Sequence, residues 1–151
     1  MKKEIQIKNL QETTILAKKI GKQLFPGAII TLDGDLGAGK TTFTQGLAKA
    51  LNITKVVNSP TFTIIKEYDG DLSLYHMDAY RIEDELEDIG IDEYFFGDGV
   101  CVIEWASKII SQIPQERLHI NINVESVTGR LFEIIPYGEK YEHICEELFY
   151  V

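Results

Sequence analysis

Arginine is the scarcest charged residue in this sequence. Arg81, Arg117 and Arg130 are its three examples among 151 residues. No dense block of lysine or arginine occurs, and the formal net charge is -9 at pH 7. Such a chain is not built to adhere non-specifically to a phosphate backbone or an anionic membrane. The arginine shortage also weighs against a small-molecule kinase, which needs cations to hold a second anionic substrate and close over the transfer. Cys101 and Cys145 lie far apart and match no metal-binding spacing, so two reduced thiols of a cytoplasmic protein are expected. No apolar run approaches the ~20 residues of a membrane span. The start, Met1-Lys2-Lys3-Glu4, leads into a polar alternating segment rather than an apolar signal core. Internal repeats and linkers are missing as well. With 44% hydrophobic residues, the chain reads as a single globular domain over residues 1–151.

What is present is organised around Gly34-Asp35-Leu36-Gly37-Ala38-Gly39-Lys40-Thr41, which matches G-x-x-x-x-G-K-[ST] at every fixed position. Residues 28–32 before it read as a buried strand, and residues 42–51 after it read as a helix. Strand, glycine-rich turn and helix is the arrangement a phosphate cradle needs. The glycines let the backbone turn tightly and direct its N–H groups inward. Lys40 would reach the β- and γ-phosphates, and Thr41 would offer its hydroxyl to Mg²⁺.

The rest of the chain supplies the scaffold and a few more candidates. Residues 4–8 alternate with period two and read as an edge strand. Asn9 suits a helix cap with Glu12 three residues on; a place beside the adenine or ribose is its other reading. Leu16, Ile20 and Leu24 form one face of the following helix, which Pro26-Gly27 ends. Phe43, Leu47, Ala50 and Leu51 give the next helix its apolar side. Gly46 weakens that helix unless close packing requires it. Ser59-Pro60-Thr61-Phe62 either places hydroxyls where P-loop enzymes often sense the γ-phosphate or is a plain connection. Residues 63–68 and 72–80 flank Asp69-Gly70-Asp71 and predict a hairpin, hence a mixed sheet. His76, Asp78 and Tyr80 fall on one face of its second strand. Asp78 is placed for a cation or a water, or is a surface carboxylate; His76 reads as a structural histidine. Residues 82–98 are rich in acids beside Tyr94-Phe95-Phe96, giving either a solvated helix or a protein-contact surface.

Val100-Cys101-Val102-Ile103 is a continuous apolar run, as in a central strand covered on both faces. Its end in Glu104 resembles a Walker B position, where the acid meets Mg²⁺ or orients the attacking water. A short helix is expected over residues 106–112, a second hairpin over residues 117–136 with Arg130 at its tip, and a terminal helix over residues 141–150. Arg130 either approaches the base or phosphates or is an ordinary solvated arginine. The expected fold is α/β: a P-loop NTPase-like three-layer domain with a mixed parallel and antiparallel central sheet. The guanine-reading strings of a GTPase, D-x-x-G and N-K-x-D, are missing, so ATP is the expected nucleotide. The chemistry expected is ATP hydrolysis, with Lys40, Asp78 and Glu104 catalytic. Thr41, Glu104 and Asp78 are the expected Mg²⁺ residues. The nucleotide contacts expected are Gly34, Asp35, Leu36, Gly37, Ala38, Gly39, Lys40, Thr41, Thr42 and Arg130. A small-molecule phosphotransferase and a nucleotide-gated interaction module are the alternatives.

The P-loop followed by Thr42, then Ser59-Pro60-Thr61-Phe62, His76-Met77-Asp78-Ala79-Tyr80-Arg81 and Ile103-Glu104-Trp105, in that order, resembles the TsaE family, also called YjeE/YdiB. The resemblance spans residues 5–137. It implies a bacterial ATPase required for threonylcarbamoyl modification of tRNA adenosine 37, acting with the partners TsaB and TsaD. On that resemblance tRNA is held only through the partners, which suits the acidic charge. It also implies that Lys40 and Thr41 serve the phosphates and Mg²⁺, that Asp78 and Glu104 are functional acids, and that Glu104 is a Mg²⁺ ligand. Trp105 matches the family's aromatic at this point, Ser59 and Thr61 a switch-like segment, and Arg130 a late nucleotide contact. Ala79 stands where leucine is more usual, a change of packing volume only.

Overall fold

The computed structural model describes residues 2–35, 37–58, 65–80 and 92–148, with the Asp92 side chain left out. Leu36, Ser59, Pro60, Thr61, Phe62, Arg81 and the acids at 83–88 therefore lie outside the described residues. Seven strands form one sheet: β1 (Lys3–Ile7), β2 (Ile29–Gly34), β3 (Ile65–Tyr68), β4 (Leu74–Asp78), β5 (Val100–Glu104), β6 (Arg117–Val124) and β7 (Arg130–Tyr137), in the order β1-β7-β6-β2-β5-β4-β3. Strands β2, β4, β5 and β6 run parallel, whereas β1–β7, β6–β7 and β3–β4 pair antiparallel. The sheet is mixed, as the two predicted hairpins require, and β1 lies at its edge as its alternation predicts. β5 lies between β2 and β4, and all five of its residues are buried.

Among the described residues four helices join the sheet: α1 (Leu10–Gly21), α2 (Lys40–Ala50), α3 (Asp92–Phe95) and α4 (Glu139–Glu147). The larger core joins Leu16, Ala17 and Ile20 of α1, Phe43 and Leu47 of α2, and Ile144 of α4 to Ile30, Leu32, Leu118, Ile120, Phe132 and Ile134 of the sheet. Burying each large aliphatic or aromatic side chain there stabilises the fold by about 1.5–3 kcal/mol. The opposite face of β2, β5 and β4 is covered by α3 and a 3₁₀ segment, Ala106–Gln112, through Phe95, Ala106 and Ile109.

Several predicted boundaries move. α1 ends at Gly21 and not near Leu24, because Gln23 and Leu24 N–H groups turn to the carbonyls of Ile20 and Gly21. Leu24 still packs on the core from the loop. α2 begins at Lys40 rather than Thr42, since Gly39 at φ +106° makes the break from the loop. The strand predicted from Leu72 starts at Leu74. The predicted short helix at 106–112 is 3₁₀ and kinks at Ile109 (φ -133°). The terminal helix starts two residues early, at Glu139, after Gly138 at φ +118°. Tyr80 lies beyond the end of β4, so it does not continue the face shared by His76 and Asp78.

Candidate functional site

Three parallel strands end at the same place, and a ligand site in an open α/β sheet lies outside such carboxyl ends. β2 runs into the glycine-rich loop, β5 ends in Glu104, and β4 ends in Asp78. Register pairs Asp78 directly with Glu104, and Leu32 of β2 with Glu104 on the other side. The strand order thus brings Lys40, Asp78 and Glu104 to one cleft of about 460 Å³. Gly37, Gly39, Thr41, Thr42, Trp105 and Arg130 line it too, as do Leu10, Val127 and Thr128.

The loop owes its shape to glycine. Gly37 and Gly39 take φ values of +80° and +106°, a region that side chains other than glycine's rarely adopt. Gly39 caps α2 without a side-chain hydrogen bond, so the helix start presents backbone N–H groups and the positive end of the helix dipole. Arg130 reaches back from the β6–β7 hairpin. Its Nε donates to the Ala38 carbonyl (3.0 Å), and a terminal nitrogen donates to the Gly37 carbonyl (3.3 Å). Its other terminal nitrogen donates to the carbonyls of Ser126 and Gly129. The guanidinium therefore ties the hairpin tip to the loop through carbonyl groups.

Lys40 is buried. Its ammonium donates to the carbonyls of Gly34 and Asp35 and sits 4.3 Å from the Trp105 ring centroid. Burial lowers its pKa, although Glu104, Asp78, Asp33 and Asp35 pull the other way. Trp105 takes a left-handed conformation (φ 58°) and packs on Tyr80, with centroids 4.9 Å apart. Lys108 closes that stack, 5.2 Å from the Tyr80 ring and bonded to the Tyr80 carbonyl. Asp78 accepts from the Tyr80 N–H (2.9 Å). Burial raises the Asp78 pKa, the Tyr80 N–H opposes this, and Glu104 adds to the rise. Glu104 is 3% exposed and bonds to Nε2 of His76, which is fully buried. These donors suit Mg²⁺: a hydroxyl and two carboxylates are enough where phosphate oxygens and water supply the rest. Among the described residues no cluster of three or more His, Cys, Asp or Glu forms a closed metal cage.

Asn9 is a cap: its side chain accepts from the Glu12 N–H (3.0 Å), and Glu12 accepts in turn from the Lys8 N–H. The sequence reading missed Asp33. Its carboxylate accepts from the Ser107 N–H and hydroxyl and so holds the turn that carries Trp105. It also missed Leu10, Val127 and Thr128 in the cleft, and nothing in local spacing marks them. Leu36, Ser59 and Thr61, three of its candidates, lie outside the described residues.

A profile described as "Threonylcarbamoyl adenosine biosynthesis protein TsaE" matches residues 7–132. The chain is similar to the tRNA threonylcarbamoyladenosine biosynthesis protein TsaE of Bacillus subtilis (strain 168), at 57% identity over 93% of this chain and 89% of that one. The protein of the same name from Treponema pallidum (strain Nichols) is 41% identical over 78% and 88% of the two chains. A crystal structure of Bacillus subtilis YdiB superposes with a TM-score of 0.86 at 48% identity, covering 98% of this chain and 94% of that chain.

Proposed function

The chain belongs to the TsaE family of threonylcarbamoyl adenosine biosynthesis proteins, and from that premise we propose that it binds ATP with Mg²⁺ and hydrolyses it in the service of tRNA modification. One observation supports this above the others: the phosphate-type loop, its lysine and two carboxylates line a single cleft at the ends of three parallel strands. Gly34, Asp35, Leu36, Gly37, Ala38, Gly39, Lys40, Thr41 and Thr42 are the proposed phosphate contacts.

In this reading Lys40 exchanges the carbonyls of Gly34 and Asp35 for phosphate oxygens. Its positive charge then offsets the negative charge that grows on the transferred group. Asp78 and Glu104 orient the attacking water. Thr41, Glu104 and Asp78 would hold Mg²⁺, which would supply Lewis-acid charge neutralisation for the bound triphosphate. Arg130, which lines the same cleft and donates to the carbonyls of Gly37 and Ala38, is the remaining proposed nucleotide contact. Proteins like TsaB and TsaD are the proposed partners, and tRNA is reached through them. A net charge of -9 fits a subunit that leaves the polyanion to others.

The test is phosphate release from ATP and Mg²⁺ with no acceptor added, together with tRNA modification reconstituted from the partners with and without this chain. Glu104→Ala is expected to keep the fold and the ATP binding seen without Mg²⁺ while turnover falls at least 100-fold, the scale of losing a positioned acid-base group. Undiminished phosphate release would remove Glu104 from the mechanism. Phosphate release only when an acceptor is added would favour a phosphotransferase.

A further inference from the structure

His76 does not line the cleft. It lies one pleat deeper on β4, opposite Val102 rather than Glu104, and is fully buried. Its Nε2 nevertheless reaches Oε2 of Glu104 diagonally across the two strands. A carboxylate only accepts, so Nε2 is the donor in this bond. The other ring nitrogen, Nδ1, is buried and has no hydrogen-bond partner among the described residues. Among the described residues the polar anchorage of the ring is therefore this one bond.

Glu104 sits in surroundings where an unanchored carboxylate is costly and where its angle decides what the free oxygen meets. Val102, two residues earlier on the same face of β5, belongs to the core. With Oε2 engaged, rotation of the carboxylate is restrained, and Oε1 is the oxygen that His76 leaves unbonded. We infer that His76 is a positioning residue: the His76–Glu104 hydrogen bond sets the orientation in which Glu104 meets the metal of a bound Mg²⁺–ATP. Being buried, His76 touches neither the nucleotide nor the water. The inference rests on the Mg²⁺–ATP reading of the cleft.

The experiment is calorimetric titration of ATP into the whole protein, in EDTA and in Mg²⁺, for wild type, His76→Phe and His76→Gln. Phenylalanine keeps the ring and removes the donor; glutamine puts an amide N–H close to where Nε2 lies. The gain in ATP affinity on adding Mg²⁺ is expected to shrink about 10- to 100-fold in His76→Phe, the usual range for a group that orients a metal ligand. Binding in EDTA should stay within about 2-fold of wild type, and His76→Gln should restore most of the gain, because the donor alone matters. Should His76→Phe not fold, His76→Asn carries the same expectation, since its shorter amide stops short of Glu104. A full Mg²⁺ gain in His76→Phe or His76→Asn overturns the inference while leaving the Mg²⁺–ATP reading intact. Absence of any Mg²⁺ gain in the wild type overturns both.

Discussion

At the residue scale, the geometry around the loop separates groups that face the cleft from groups that hold it. Lys40, Asp78 and Glu104 face it; Arg130, Asp33 and His76 hold it. Arg130, expected either to approach the base or phosphates or to be an ordinary solvated arginine, lines the cleft and donates to the carbonyls of Gly37 and Ala38. Charged hydrogen bonds of this kind contribute about 1.5–3 kcal/mol. Arg130→Ala is therefore expected to speed amide exchange at residues 37–39 about 10- to 100-fold, as read by hydrogen-exchange mass spectrometry. Unchanged exchange would show that the loop keeps its shape without the guanidinium.

At the element scale, the α1–α2 contact is where the helices approach most closely, and small residues permit it. A Cβ added at Gly46 would lie 2.6 Å from Cβ of Ala17 and 3.2 Å from the Thr14 carbonyl oxygen. One added at Gly21 would lie 2.5 Å from Cβ of Ala50. Propensity alone favours alanine over glycine inside a helix by about 1 kcal/mol. Overpacking costs about 1–3 kcal/mol, and here both neighbours are parts of well-packed helices. Gly46→Ala is thus expected to lower unfolding stability by about 1–2 kcal/mol in urea denaturation. A gain in stability would mean that α1 moves away freely. The consequence reaches the site, because α2 carries Lys40 at its first position and α1 brings Leu10 to the cleft.

At the scale of the whole molecule, the two sheet faces differ. One is covered by α1, α2 and α4, while on the other, among the described residues, the 3₁₀ segment and α3 cover β2, β4 and β5. His119 of β6 sits at the margin of that cover. It is bonded to Thr31 (2.7 Å) and Asn121 (3.0 Å), with Asp33 at 3.6 Å. Burial lowers its pKa from the ordinary 6.5, against the pull of Asp33. The unfolded chain then binds a proton more readily than the folded one. Stability is therefore lost as pH falls from about 6.5 through the lowered folded value. Urea midpoints are expected to drop across that window and to flatten in His119→Gln; an equal slope in both proteins would assign the acid sensitivity to other groups. The same burial argument pushes the Cys101 thiol up to about 12, and both cysteines are buried and free. The expectation of reduced, unpaired thiols thus has a structural basis in the core.

The glycine-rich loop, its flanking strand and helix, the edge strand β1, both hairpins and the buried run ending in Glu104 were legible in the residues alone. Each depends on a local rule: a glycine backbone, a periodicity of two or 3.6, or a turn composition. Boundaries slipped where a cap or a 3₁₀ turn intervened, at Leu24, Lys40 and Glu139. Tertiary structure alone decided which strands are neighbours. Placing β5 between β2 and β4 sets Glu104 beside Asp78 and above His76. Folding β7 back across the sheet brings Arg130 to Ala38, 92 positions away in sequence. Periodicity states which face a side chain occupies, but which side chain it meets depends on strand order, and strand order is settled by burying the whole core at once.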